Sequence, residues 1–202
     1  MELPVYEKLL SPEELLRSRR FFKAEDRDRY IISRAILKQL SGLYINTAPE
    51  SIEIVRDQNK KPIIKDFEHL HFNISHSGNC VAFAFSGSSV GIDVEFINND
   101  FDYKPIAAIC FTDSEINFAE ESNKPADEFF KLWTRKEALL KATGEGLHDD
   151  MNKLNCLNDP FSSDITDTDY DSYRINTFEI AKNYIASIAY SYPEKKLRFY
   201  EK

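Results

Sequence analysis

Asp93 and Glu95 sit two residues apart in Ser89-Val90-Gly91-Ile92-Asp93-Val94-Glu95, a strand-like segment. Alternate side chains of a strand share a face, so both carboxylates point one way while Ile92 and Val94 point into apolar packing. Two carboxylates on one face repel unless water or a cation lies between them, and hard divalent ions take carboxylate oxygens. Taken alone, such a pair is more often a solvated strand edge.

A second stretch runs Phe130-Lys131-Leu132-Trp133-Thr134-Arg135-Lys136-Glu137-Ala138-Leu139-Leu140-Lys141. Helical geometry puts Trp133, Glu137 and Lys141 along one stripe. An ordinary i,i+4 Glu–Lys pair on a wet face is worth roughly a few tenths of a kcal/mol. If Trp133 belongs to a buried surface, however, Glu137 and Lys141 stand at a cleft edge, as an acid and a base for proton transfer should. A third stretch, Phe72-Asn73-Ile74-Ser75-His76-Ser77-Gly78, ends a β run at a glycine turn. Its hydroxyls, N–H groups and imidazole suit a phosphate, or simply a polar hairpin turn. Arg17, Arg19, Arg20, Lys23, Arg27 and Arg29, with Lys60-Lys61-Pro62 further on, are cations in an acidic chain. They read as solvated faces or as counter-charge for a phosphate.

The elements that must position these residues follow from pattern. Ser11-Pro12-Glu13-Glu14 predicts a helix start with Ser as N-cap and Pro at N1. Spacing predicts a second helix over Glu25–Leu40, stopped at Gly42. Period-two segments predict strands around Ile52–Ile54, Ile63–Ile64, Leu70–Ser75, Cys80–Ser86 and Ser89–Glu95, with hairpin breaks at Ser77-Gly78-Asn79 and at Gly87-Ser88. Helices are expected over Asp113–Glu121, capped by Asp113 or Thr112, and over Pro125–Thr143, closed by Gly144. A polar loop from Asn152 to Asp171, holding a short strand, precedes strands at Tyr173–Ile180, Tyr184–Tyr190 and Lys196–Tyr200. Helices followed by strands occur twice, which suggests an α+β architecture of two similar halves, residues 1–96 and 97–202.

Composition narrows the function. The chain has 202 residues, 42% hydrophobic and 30% charged, with fifteen Phe and ten Tyr, so wholesale disorder is excluded. No apolar run approaches the ~20 residues of a bilayer crossing. The N-terminal residues show no secretory h-region. A net charge of −8 argues against a nucleic-acid binder. Cys80, Cys110 and Cys156 fit no metal-knuckle spacing and are expected as reduced thiols in the cytoplasm. With four His, a His-rich metal site is not expected, and the abundant acids point to an ion such as Mg²⁺.

Asn73-Ile74-Ser75-His76-Ser77, Gly91-Ile92-Asp93-Val94-Glu95 and Trp133-Thr134-Arg135-Lys136-Glu137-Ala138 with Lys141 together resemble the signature motifs of 4′-phosphopantetheinyl transferases. The likeness is to the longer, two-half type that acts on surfactin synthetase and related peptide synthetases. It extends upstream to Arg19-Arg20-Phe21-Phe22 with Glu25-Asp26 and to Lys61-Pro62, and it runs from about Arg17 to about Leu147. It implies a monomer of two α+β halves related by pseudo-twofold symmetry, each with helices and an antiparallel sheet, and an active site between them. It also implies coenzyme A as donor, Mg²⁺ as cofactor and a serine of an apo acyl- or peptidyl-carrier protein as acceptor. The product would be a holo-carrier for nonribosomal peptide, polyketide or fatty acid biosynthesis, with adenosine 3′,5′-bisphosphate released.

By the same resemblance Asp93 and Glu95 match the metal-binding acids. Glu137 matches the acid that completes the metal site or serves as base, and Lys141 the catalytic lysine. Ser75 and His76 match positions that touch the phosphates of coenzyme A, and Lys61 and Pro62 positions beside its 3′-phosphate and base. Arg17 and Arg29 sit where relatives place cations for that phosphate, Tyr30 lies near the adenine, and the segment after Glu95 helps dock the carrier. Two other classes remain compatible: a module that binds coenzyme A or another nucleotide without turnover, and a Mg²⁺-dependent pyrophosphate hydrolase.

Overall fold

The computed structural model describes residues 3–58, 60–146, 149–157, 162–163, 170–191 and 197–200. It is an α+β chain of helices and small antiparallel sheets. It divides into two compact units, Met1–Leu70 and His71–Lys202, whereas the sequence suggests a boundary after residue 96.

In the first unit, α1 (Leu3–Glu7) and α2 (Pro12–Ser18) precede the long α3 (Ala24–Ile45). The predicted cap forms: Ser11 and Glu14 make a reciprocal capping box, and Pro12 opens the helix. Glu14 then receives Arg34 at 2.5 Å and Lys38 at 3.0 Å, which ties α2 to α3 over a core of Leu10, Ile31 and Ala35. α3 does not stop at Gly42. The helix runs on to Ile45, and Asn46 takes the left-handed cap at φ 52°. Gly42 is small for a different reason: a Cβ there would lie 2.5 Å from the Thr47 carbonyl oxygen. Strands β1 (Ile54–Arg56) and β2 (Pro62–Ile64) pair antiparallel, with Arg56 opposite Pro62.

In the second unit, β3 (His71–Ser77) and β4 (Cys80–Ser86) form the expected hairpin, with Ser77 opposite Cys80. Gly78 turns it at φ +53°, and a Cβ there would meet the Tyr184 hydroxyl at 2.6 Å. β5 (Val90–Phe96) does not make a second hairpin with β4. It pairs instead with β9 (Tyr184–Ser191), which pairs with β8 (Tyr173–Ala181), giving the order β5-β9-β8. Both faces of this sheet are covered: Val94 and Ala186 are fully buried on one side, and Ala189, clustered with Ala138 and Ala142, is fully buried on the other.

α4 (Lys104–Cys110) and α5 (Asp113–Glu120) lead to α6 (Pro125–Thr143), which packs across β5 and β9 and ends at Gly144, φ 85°. Thr112, one of the two expected caps, closes α5 in a second capping box with Glu115. Phe129 anchors α6 against Tyr103 and Phe111 and stacks on Trp133 one turn further along the same helix. Within the expected polar loop lies a two-residue pairing of β6 (Leu154–Asn155) with β7 (Ser162–Ser163). The strand expected at Lys196–Tyr200 does not form over 197–200, and residue 196 lies outside the described residues. The three cysteines are unpaired. Among the described residues no helix is long and apolar enough to cross a membrane.

Candidate active site

Two elements far apart in sequence build the site, and one glycine lets them meet. A Cβ on Gly91 would lie 2.0 Å from the Ala138 carbonyl oxygen and 2.4 Å from the Ala142 nitrogen. Only glycine therefore allows α6 to lie this close to β5. The approach brings Lys141 Nζ to 2.6 Å from Asp93 Oδ1 and 3.2 Å from Ser75 Oγ.

β5 reaches its other neighbour, β3, by side chains rather than by a backbone ladder. Asn73 Oδ1 accepts the Ile92 N–H at 2.9 Å, and Ser75 Oγ donates to Asp93 Oδ1 at 2.8 Å. Ser77 Oγ donates to Glu95 Oε2 at 2.7 Å and accepts the Phe96 N–H at 3.0 Å. Strand alternation puts Asn73, Ser75 and Ser77 on one side of β3 and directs Asp93 and Glu95 toward it. The acid pair is thus no solvated strand edge, since Asp93 is only 3% exposed.

The electrostatics follow from this enclosure. Burial pushes the Asp93 carboxyl above the usual carboxylate range, against the opposing pull of Lys141 and Ser75. Burial also raises Glu95; Ser77 opposes this, the Asp93 charge adds to it, and Lys141 and a hydrogen bond from Trp133 oppose it. Glu137 is raised by burial, with Lys141 opposing and the charges of Asp93 and Glu95 adding. The predicted stripe therefore exists, with Glu137 and Lys141 facing the acid pair from α6.

Two buried oxygens in this cluster, Asp93 Oδ2 and Glu137 Oε1, have no hydrogen-bond partner among the described residues. Orphaned carboxylate oxygens beside mutually repelling acids are what a hard divalent cation relieves, and an all-oxygen donor set suits Mg²⁺. The donor chemistry fits such an ion. Among the described residues no three His, Cys, Asp or Glu side chains converge as they stand to hold one; the Lys141 ammonium lies on Asp93 instead.

The remaining candidates lie on β3 and in the first unit. Ser75 joins the acid network, whereas His76, its neighbour on β3, points to the opposite face and is exposed. In the first unit, the Arg17 guanidinium lies 5.6 Å from the centre of the Tyr30 ring, and Arg29 is paired with Asp26. Lys61 donates its N–H to Asp57 Oδ1 at 2.9 Å, and burial lowers its ammonium pKa; Pro62 opens β2.

Sequence reasoning gave Asn73 and Gly91 no role, and Ser77 only as one of the hydroxyls of a phosphate site or polar turn, although each lies inside a quoted motif. Two further motif residues turn out to be structural. Lys136 is fully buried, 2.9 Å from Glu115 and 2.8 Å from the Met151 carbonyl oxygen. Arg135 donates to the Cys156 carbonyl oxygen at 2.6 Å.

α6 thus sets Glu137 and the Lys141 ammonium against a strand carrying two further acids, Asp93 and Glu95. Residues 89–189 match the family model described as the 4′-phosphopantetheinyl transferase superfamily, and residues 2–88 match the model of the N-terminal part of 4′-phosphopantetheinyl transferases. The chain belongs to the 4′-phosphopantetheinyl transferase superfamily. It is 28% identical to 4′-phosphopantetheinyl transferase Sfp of Bacillus subtilis, over 92% of this chain and 84% of that protein. It is 34% identical to 4′-phosphopantetheinyl transferase HetI of Nostoc sp., over 68% of this chain and 61% of that protein. With a putative 4′-phosphopantetheinyl transferase of Synechocystis sp. it shares 31% identity, over 75% of this chain and 64% of the relative. The chain thus spans less than two thirds of the length of the last two relatives.

Proposed function

We propose that this chain transfers the 4′-phosphopantetheine arm of coenzyme A to a serine of an apo acyl- or peptidyl-carrier protein and releases adenosine 3′,5′-bisphosphate. The observation that carries the reading is the Lys141–Asp93 contact, 2.6 Å, beside a half-buried Glu137 whose buried Oε1 has no hydrogen-bond partner among the described residues.

The serine Oγ attacks the β-phosphorus of the coenzyme A pyrophosphate. A P–O bond forms to serine, and the P–O bond to the adenosine 3′,5′-bisphosphate breaks. Serine is a weak nucleophile until its proton is taken. Glu137 is the group for that proton: burial and neighbouring acids raise its proton affinity, and one oxygen is unengaged. Lys141 carries positive charge or a proton to the leaving phosphate oxygen. Such transfers depend chiefly on positioning and charge neutralisation. A Mg²⁺ ion held by Asp93 and Glu95, with Glu137 as the third acid, would supply Lewis-acid neutralisation of the pyrophosphate. Ser75 orients Asp93 through its hydroxyl.

We assign His76, Arg17, Arg29, Lys61 and Pro62 to coenzyme A and its 3′-phosphate end on the strength of the motif resemblance. The reading also carries a cytoplasmic monomer; the three unpaired cysteines suit a reducing compartment.

Incubating the chain with coenzyme A, Mg²⁺ and a panel of apo-carriers tests the reading by mass spectrometry. A carrier that gains the mass of the phosphopantetheine arm on its serine supports it. Coenzyme A cleaved with no carrier present would make the chain a pyrophosphate hydrolase, and binding without turnover would make it a nucleotide-binding module.

A further inference from the structure

We infer that Ser77 is a positioning residue for the acid pair: its single hydroxyl fixes the Glu95 carboxylate where it serves a divalent cation. This rests on the transferase reading above and extends it to a residue that touches neither substrate nor ion.

β3 and β5 share no ladder, so alternate side chains of β3 hold β5 in place. Asn73 engages only backbone, the Ile92 N–H at 2.9 Å, and Ser75 engages Asp93 together with Lys141. Ser77 alone ties backbone and carboxylate at once, accepting from the Phe96 N–H at 3.0 Å and donating to Glu95 Oε2 at 2.7 Å. A short hydroxyl side chain already held by a backbone N–H loses little freedom when it also grips a carboxylate.

The turn that follows Ser77 is itself pinned. The Asn79 N–H donates to the Tyr184 hydroxyl at 3.2 Å, and the Tyr184 ring packs edge-on to Phe96 at 5.1 Å between centroids. Register sets Tyr184 directly opposite Phe96, so the hairpin end is anchored over the end of β5. Glu95 is only half-buried and, with Ser77 removed, would keep only the Trp133 hydrogen bond to restrain its side-chain torsions. Groups that hydrogen-bond a ligating carboxylate set its orientation, and their loss typically lowers metal affinity by about 10–100-fold.

The test measures Mn²⁺ binding by electron paramagnetic resonance, counting free ion in the presence of coenzyme A. The wild-type chain is compared with Ser77→Ala, Ser77→Thr and Ser77→Cys, alongside kcat and KM for coenzyme A. Ser77→Ala should bind Mn²⁺ about 10–100-fold more weakly. Its kcat should fall at low Mg²⁺ and recover as the ion is raised, while KM for coenzyme A at saturating ion stays near wild type. Ser77→Thr, which keeps the hydroxyl, should restore Mn²⁺ affinity; a merely structural role would not produce this metal-linked rescue. If Ser77→Ala does not fold, Ser77→Cys, with its weaker donor, is read against Ser77→Thr in the same way. Wild-type Mn²⁺ affinity in Ser77→Ala, or in Ser77→Cys where Ala does not fold, overturns the inference. A wild-type chain that transfers the arm yet binds no Mn²⁺ also overturns it, while leaving the transferase reading intact. A chain that modifies no carrier defeats that reading instead.

Discussion

Lys141 Nζ lies 2.6 Å from Asp93 Oδ1 across 48 residues of sequence, and both share Ser75 Oγ. The ammonium is the nearest positive charge to an almost fully buried carboxylate, so it serves as Asp93's resident counter-ion. With Asp93 and Glu95 holding a divalent cation, Lys141 would no longer be needed as that counter-ion and, in the proposed reaction, would serve the leaving phosphate.

Gly91→Ala should disrupt the site from a position that does no chemistry. Its Cβ would sit 2.0 Å from backbone, which cannot move aside cheaply. Overpacking typically costs about 1–3 kcal/mol, occasionally more, and the shift of α6 would separate Lys141 from Asp93. A lower melting temperature together with lost transfer activity is expected; a variant that melts and turns over like wild type would contradict it.

Lys136 and Lys141, five positions apart on α6, should fail in different ways. Lys136→Met leaves Glu115 buried without its partner, a loss of about 3–5 kcal/mol that no ion at the active site can offset. Lys141→Ala should lower kcat severely, and its loss of stability should be relieved by Mg²⁺ with coenzyme A, since Asp93 regains a cation. Melting curves with and without both additives separate the two.

That contrast also shows where sequence was informative. The period of a strand put Asp93 and Glu95 on one side, and the period of a helix aligned Trp133, Glu137 and Lys141; both relations are local. What stayed hidden depended on partners far along the chain. Lys136 is indistinguishable from a surface lysine until Glu115 and the Met151 carbonyl close around it. β5 took β9 rather than β4 as its ladder partner because pairing is decided by tertiary packing, not by adjacency. Gly42 carries a helix-stop signal, yet Asn46 adopts the left-handed turn and Gly42 makes room for a carbonyl. Ser75 and His76 adjoin in sequence but face opposite ways, as alternation requires.

The first unit should show its own acid sensitivity at Glu14. Burial works to raise this carboxyl, but the Ser11 N–H, Arg34 and Lys38 outweigh it and hold it below the usual carboxylate range. The folded chain then binds fewer protons than the unfolded one, so the contribution is present above the unfolded value of about 4.3 and lost as pH falls through the folded value. Glu14→Gln should melt below wild type at neutral pH, with the gap narrowing in acid. A gap independent of pH would rule this out.

Lys61→Ala and His76→Ala should raise KM for coenzyme A, each losing a contact to a charged group worth about 1.5–3 kcal/mol. If Lys61 meets the 3′-phosphate, its penalty should largely vanish with 3′-dephospho-coenzyme A as donor. Equal penalties on both donors would remove Lys61 from that role.

In the proposed reaction Glu137 takes the serine proton at a cation site built on Asp93. One Mg²⁺ titration of kcat, run on wild type, Asp93→Asn and Glu137→Gln with an apo-carrier as acceptor, tests it most directly. Asp93→Asn keeps an oxygen but loses a charge, so its activity should recover at least in part as Mg²⁺ rises. Glu137→Gln cannot accept a proton at neutral pH, so its kcat should stay lower by about 10²–10⁴-fold at every concentration of the ion. Full rescue of Glu137→Gln by metal, or an Asp93→Asn chain with wild-type Mg²⁺ dependence, would contradict the account.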